Sequence, residues 1–159
     1  MLNIVHVVNQ FFAGLGGEEK ADTHVGILDG PSAVGRALQS QLGKQAQITA
    51  TLYVGDNYFH EHKEEAREAV LCELRARKPQ LIIAGPAFNS GRYGLACVEI
   101  CSAIAADLGI PCVTAMHAEN PAVEIYGILR NFNVYLLSTT ETVAGMTEAL
   151  KSLATFTLR

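Results

Sequence analysis

Short β-branched runs alternate with longer segments of helical period along this chain, and few folds accept that pattern. Residues 2–8 (LNIVHVV), 47–54 (QITATLYV), 81–84 (LIIA), 111–116 (PCVTAM) and 133–137 read as strands. Between them, Pro31 stands where a helix can begin, and SAVGRALQSQL leads to Gly43, a fitting C-cap. A second helix is predicted over 59–78, with Ala66, Val70 and Leu74 on one face and Pro79 ending it. A third, over 91–108, aligns Cys97, Cys101, Ile104, Ala105 and Leu108 on one stripe. A short helix is expected after Pro121. The last helix carries Val143, Met146, Leu150 and Leu153, with capping-box spacing at Ser138 and Glu141. Strands alternating with helices bury a parallel sheet between two helical layers through right-handed crossovers. The fold expected is therefore an α/β three-layer sandwich with a five-stranded parallel sheet, flavodoxin-like or Rossmann-like. Residues 1–159 are expected to form a single domain, since no linker or repeat interrupts them.

Composition narrows the function classes. The formal net charge is -4 and the pI about 5.7, which argues against a nucleic-acid partner that would need a basic patch. No apolar run approaches the roughly 20 residues that span a bilayer. The start, MLNIVHVVNQ, has no signal-peptide pattern, so a cytoplasmic location is the expectation. The four cysteines, Cys72, Cys97, Cys101 and Cys112, fall within regular elements and lack disulfide-framework spacing.

In open α/β sheets, ligands sit beyond the carboxyl ends of the strands. The loop after the third predicted strand offers Asn89, Arg92 and Tyr93: an amide, a fixed positive charge and a phenol. Arg92 at a helix start points to an anion site; the alternative is an ion pair with acids of a neighbouring loop. The loop after the first strand is long, 9–30, and sets Gly14, Gly16 and Gly17 before Glu18 and Glu19. It matches neither GxGxxG nor GxxxxGK[ST], and two carboxylates would repel phosphate. Either it is a glycine hinge with solvated acids, or an acidic loop facing a cation or a partner chain. Asn57, beside Asp56, sits where the second predicted helix begins, and either residue is placed to cap it. His117, Glu119 and Asn120 stand at the carboxyl end of the fourth predicted strand. His60 and His62, two apart, point to opposite sides of a helix and cannot share a metal. Cys97 and Cys101 share their stripe with Ile104 and Leu108, so core packing is favoured over a redox or metal role. No metal site is expected.

Four segments in this order carry a more specific signal: NQFFAGLGGEEKAD (9–22), GDNYF (55–59), AGPAFNSGRYGLAC (84–97) and ENP (119–121). In them the chain resembles the amino-terminal part of the selenoprotein B subunit of the glycine, sarcosine and betaine reductases. The resemblance implies a part in reductive C–N cleavage within a cytoplasmic, anaerobic complex. It implies other reductase subunits as partners and a small amino acid or quaternary amine as substrate; a homo-oligomer is also possible. It implies no cofactor in this chain, with selenocysteine and a pyruvoyl group elsewhere in the complex, so that the chain alone should not turn over. It further implies that loops bearing Glu18, Glu19, Asn57, Asn89, Arg92, Tyr93, His117, Glu119 and Asn120 shape a substrate pocket or a subunit contact. The sequence departs from the family in lacking the selenocysteine region, in Ala122 where glycine is more usual, and in a longer segment at 127–133. The competing readings are a non-catalytic small-anion-binding or regulatory domain of the same fold and, more weakly, a flavin-binding electron carrier, which the acidic first loop disfavours.

Overall fold

The computed structural model describes residues 1–129 and 131–159. The strands are β1 (Leu2–Asn9), β2 (Gly26–Asp29), β3 (Ala46–Val54), β4 (Leu81–Phe88), β5 (Cys112–His117) and β6 (Val134–Thr139). The helices are α1 (Val34–Leu42), α2 (Asp56–Glu61), α3 (Lys63–Arg77), α4 (Gly91–Leu108), α5 (Ala122–Leu129) and α6 (Met146–Thr157). The strands form one six-stranded sheet in the order β2-β3-β1-β4-β5-β6. All pairings are parallel except β2 with β3.

The expected five-stranded parallel sheet is thus corrected to a six-stranded mixed one. The extra strand is only GILD, inside a stretch that reads as loop, beginning at Gly26 and followed by Gly30. It pairs on the outer edge of β3, where Gly26 lies opposite Tyr53 and a Cβ at position 26 would collide with that ring. With β2 set aside, the parallel strands run second, first, third, fourth, fifth, the order of doubly wound sheets such as flavodoxin.

Each face of the sheet buries a helical layer. Ile4, Ile48, Ile83 and Val113 pack with Leu38 and Leu42 of α1 and Leu150 and Leu153 of α6. On the other face, Val5, Val7, Leu52 and Ile82 pack with Phe59, Leu71 and Leu74 and with the α4 stripe. Cys97, Cys101 and Ile104 of that stripe are at most 1% exposed, as the helical period predicts.

Local departures have identifiable causes. The helix expected over 59–78 is two helices, because His62 leaves helical geometry (φ -133°, ψ 49°). Its ring stacks on Tyr58, which also stacks on His24. β4 runs on to Phe88, four residues beyond the expected end, with a register shift between Ala84 and Phe88. Ser138 lies within β6 rather than in a capping box, and α6 begins only at Met146. Val143, expected on its buried face, is 57% exposed in the preceding turn. No helix among the described residues is long and apolar enough to cross a membrane.

Candidate functional site

The strand order reverses between β1 and β4, whose chain connections leave to opposite sides, and a crevice opens beyond their carboxyl ends. A cavity of about 680 Å³ lies there, a size usual for small-molecule sites. Its floor comes from the end of β1 (Asn9, Gln10), the end of β4 (Ala87, Phe88) and the first residue of α2, Asp56. Glu18, Asn89, Arg92 and Tyr93 form the walls, with Glu141 to Val143 at one side.

A buried polar network holds the floor. Asn9 Nδ2 donates to Asp56 Oδ2 at 3.1 Å, and Asn9 Oδ1 accepts from the Phe12 amide at 2.9 Å. The Asp56 amide donates to Gln10 Oε1 at 3.1 Å. The next amides of α2, from Asn57 and Tyr58, donate to the Ala21 carbonyl at 2.9 and 3.0 Å. The chain after β1 therefore caps α2 in place of a side-chain cap from Asp56 or Asn57.

Two polar groups in this wall are left over. Asp56 is 6% exposed, and its Oδ1 has no partner. Tyr93 is 3% exposed; its hydroxyl, which the Asn9 backbone faces, meets no partner at hydrogen-bonding geometry. Burial raises the Asp56 carboxyl above the usual aspartate range, opposed by the Asn9 side-chain hydrogen bond, the Arg92 charge and a side-chain hydrogen bond from Gln10. Burial likewise pushes the Tyr93 phenol well up, keeping it neutral. Buried polar groups are nearly always paired, and these two, on residues that line the cavity, are exceptions.

Arg92 is already engaged. Its Nη2 donates to both Glu18 carboxylate oxygens at 2.9 and 2.8 Å, and its Nη1 to Asn57 Oδ1 at 2.7 Å. The ion pair with a neighbouring loop is the arrangement observed, and it straps the segment after β1 across the cavity mouth.

Of the nine residues singled out in the sequence, Glu18, Asn89, Arg92 and Tyr93 line the cavity, and Asn57 reaches it through Arg92. The other four lie off its wall. Glu19 accepts from the Gly17 amide at 3.0 Å, and hydrogen bonds from its own backbone and then from Gly17 hold its carboxyl below the usual glutamate range. His117 Nδ1 accepts from the Glu119 amide at 3.2 Å. Asn120 is 2% exposed, and both ends of its amide are used: Nδ2 donates to the Phe88 and Ser90 carbonyls at 3.0 and 3.1 Å, and Oδ1 accepts from the Ala122 amide at 3.0 Å. It props the β4–α4 turn, where Phe88 holds a positive φ of 51°. Sequence reasoning missed Asn9 and Gln10 and gave Asp56 only a capping role. The available signal was three polar residues at or within two positions of strand ends, beside the switch-point crevice.

Three of the four cysteines are buried and Cys72 is exposed. Cys97 is pushed well up by burial, and Cys101 by its contact with Cys112 and by burial. Such thiols are poor nucleophiles. No group of three or more His, Cys, Asp or Glu among the described residues is arranged to hold a metal ion.

Fold and cavity together define a doubly wound α/β protein with a crevice at its switch point. The chain belongs to the glycine/sarcosine/betaine reductase selenoprotein B family, whose profile matches residues 1–159. It is 44% identical over 158 residues to the glycine reductase complex component B subunit gamma of Peptoclostridium litorale. It is 43% identical over 156 residues to the subunit of the same name from Carboxydothermus hydrogenoformans. To the sarcosine reductase complex component B subunit beta of Peptoclostridium acidaminophilum it is 39% identical over 158 residues. These alignments cover 98–99% of this chain but 35% of each relative, so the chain spans about a third of their length.

Proposed function

We propose that this chain forms the amino-terminal α/β domain of a selenoprotein-B-type reductase subunit, and that the cavity between β1 and β4 receives the amine or amino-acid substrate of reductive C–N cleavage. The observation that carries the reading is the switch-point cavity itself, lined by the buried acid Asp56 and by Glu18, Tyr93 and Arg92. An ammonium donor would satisfy the carboxylate, whose burial strengthens the attraction. α4 starts at the same cavity and no side chain caps its amino terminus, which suits the carboxylate end of a zwitterion. A simple anion is a poorer match, because Glu18, Asp56 and Glu141 line the cavity against Arg92 alone, and Arg92 is paired.

The selenolate and pyruvoyl group that the resemblance implies would act from elsewhere in a multi-subunit complex. The thiols here do not fit the selenolate's role: Cys97, Cys101 and Cys112 are buried, and Cys72 lies outside the cavity wall. This chain's part is to bind and orient, with the strap over the cavity and nearby loops available for subunit contact. Amide chemical-shift mapping tests the reading. Glycine or sarcosine added to the protein should shift the amides of Asn9, Gln10, Asp56 and Tyr93; shifts confined to other surfaces, or none, would overturn it.

A further inference from the structure

We infer that β6 is a dimer edge: two copies of this chain pair their sixth strands antiparallel about a two-fold axis at Leu137, joining two sheets into one. β6 closes one side of the sheet, and its backbone groups point alternately toward β5 and away from it. The Cys112 amide donates to the Asn133 carbonyl, so residues 133, 135, 137 and 139 face β5, and residues 134, 136 and 138 face outward. Val134 is served within the chain. Its amide donates to the Asn131 carbonyl, and its carbonyl accepts from the Tyr126 hydroxyl at 2.7 Å. Leu136 and Ser138 each keep an outward N–H and C=O with no partner among the described residues.

These free groups complement themselves. An antiparallel copy that sets Leu136 opposite Ser138 makes the two a hydrogen-bonded pair, and the two-fold axis repeats it, so every free group of both strands is used. Moving the register toward Val134 would meet groups already occupied. The strand VYLLST carries no charge, so self-pairing sets no like charges against each other. The opposite edge differs: β2 has four residues and ends in Asp29, which pairs with Arg77, and a charge of this kind blunts an edge.

Antiparallel pairing also brings the amino end of one β6 beside the carboxyl end of the other. Phe132, 95% exposed, precedes the first end, and Val143, 57% exposed, follows the second. Each gains an apolar neighbour from the second copy. A second copy fits better than a foreign strand, because one short stretch supplies both halves of the hydrogen-bonding and the apolar match. Residues 141–143 also form one side of the cavity, so the contact reaches its rim whatever the cavity binds.

Sedimentation equilibrium of the full chain tests the pairing. The expected mass is twice 17.1 kDa at high protein concentration, falling toward 17.1 kDa on dilution. Ser138→Pro removes an outward N–H and no bond to β5, and should weaken dimerisation by about tenfold or more while the chain stays folded. A second variant covers the case in which that one fails to fold. Leu137→Cys, with the exposed Cys72 changed to serine, sets two thiols in a non-hydrogen-bonded pair, where Cα atoms lie about 4.5 Å apart and a disulfide can close. Diamide, which takes up the two electrons and two protons, should convert most of that protein to covalent dimer. A chain that stays at 17.1 kDa at every concentration and does not cross-link at position 137 would overturn the inference and leave this edge to another occupant. A dimer that survives Ser138→Pro unchanged would overturn it in favour of a different face.

Discussion

Arg92 and Glu18 lie 74 residues apart in the chain, yet the Nη2 of one donates to both carboxylate oxygens of the other at 2.9 and 2.8 Å. The bond ties the start of α4 to the strap after β1, and Arg92 Nη1 adds Asn57 of α2 at 2.7 Å. One guanidinium therefore fastens three segments around the cavity. The same hydrogen bonds to Glu18 raise Arg92 further above its already high ordinary pKa.

Removing that clasp should loosen the strap without unfolding the protein. The side chains are 39% and 71% exposed, so Arg92→Ala is expected to cost at most about 1 kcal/mol of global stability. Hydrogen exchange of amides in 11–20 should nevertheless speed up several-fold. Arg92→Lys should not restore protection, because one ammonium cannot serve Glu18 and Asn57 with the same geometry. Unchanged exchange in the alanine variant would show that the strap is held by its backbone contacts alone.

Gly94 and Asn120 should behave as one unit. A Cβ at position 94 would come within 2.6 Å of the Asn120 amide, which holds the Phe88 and Ser90 carbonyls. Gly94→Ala is expected to destabilise by about 1–3 kcal/mol, and Asn120→Ala by about as much through unpaired carbonyls. In the double variant the glycine change should cost clearly less, because its steric opponent is gone. Strict additivity in denaturant unfolding would contradict the contact.

His6 makes the fold sensitive to mild acid. Its ring is fully buried in β1, Nε2 lies 2.7 Å from the Gly85 carbonyl, and burial lowers its pKa from 6.5 to about 4. The folded state thus binds fewer protons than the unfolded state between these values. The stability from keeping this ring neutral is present above pH 6.5 and is lost as pH falls toward 4, by about 3 kcal/mol. Asp56, raised by burial, works in the opposite sense at the acid end of that window. Unfolding curves at pH 7, 5.5 and 4 should show the decline, and His6 resonances should remain those of a neutral ring at pH 5.5.

Thiol chemistry should find one reactive cysteine. Cys72 is exposed and the other three are buried, so a native-state thiol reagent should titrate one equivalent, and all four after denaturation. Cys97→Ala should cost about 1 kcal/mol or more as a core truncation. Rapid labelling of Cys97 in the native state would mean that α4 opens far more readily than its packing implies.

The periodic parts of the chain were legible in advance because burial on a sheet or helix face repeats with a period the residues must match. The α4 stripe of Cys97, Cys101 and Ile104 is the clearest case, and β1, β3 and β5 follow within a residue or two of their expected ends. GILD carries too few residues for any period and was missed. The His62 break was also hidden, since its cause is a ring stack with Tyr58 and His24 rather than a helix-breaking residue. Asn89, Arg92 and Tyr93 were found because they follow a strand end. Asn120 was also noticed there, but its amide is consumed in propping the β4–α4 turn.

What the sequence determined by itself was the α/β layering, the placement of loops at the carboxyl ends of the strands, and the family resemblance in those loops. All three follow from local pattern: alternation of propensity, hydrophobic period and short contiguous motifs. Tertiary structure alone decided which polar side chains remain without partners. For Arg92 the sequence left an anion site and an ion pair with a neighbouring loop both open, and the structure pairs it with Glu18, while Asp56 appeared as a helix cap and is instead held by Asn9. Partners 47 and 74 residues away set those outcomes, and hydrogen-bond saturation depends on distance in space, which no local stretch of sequence records.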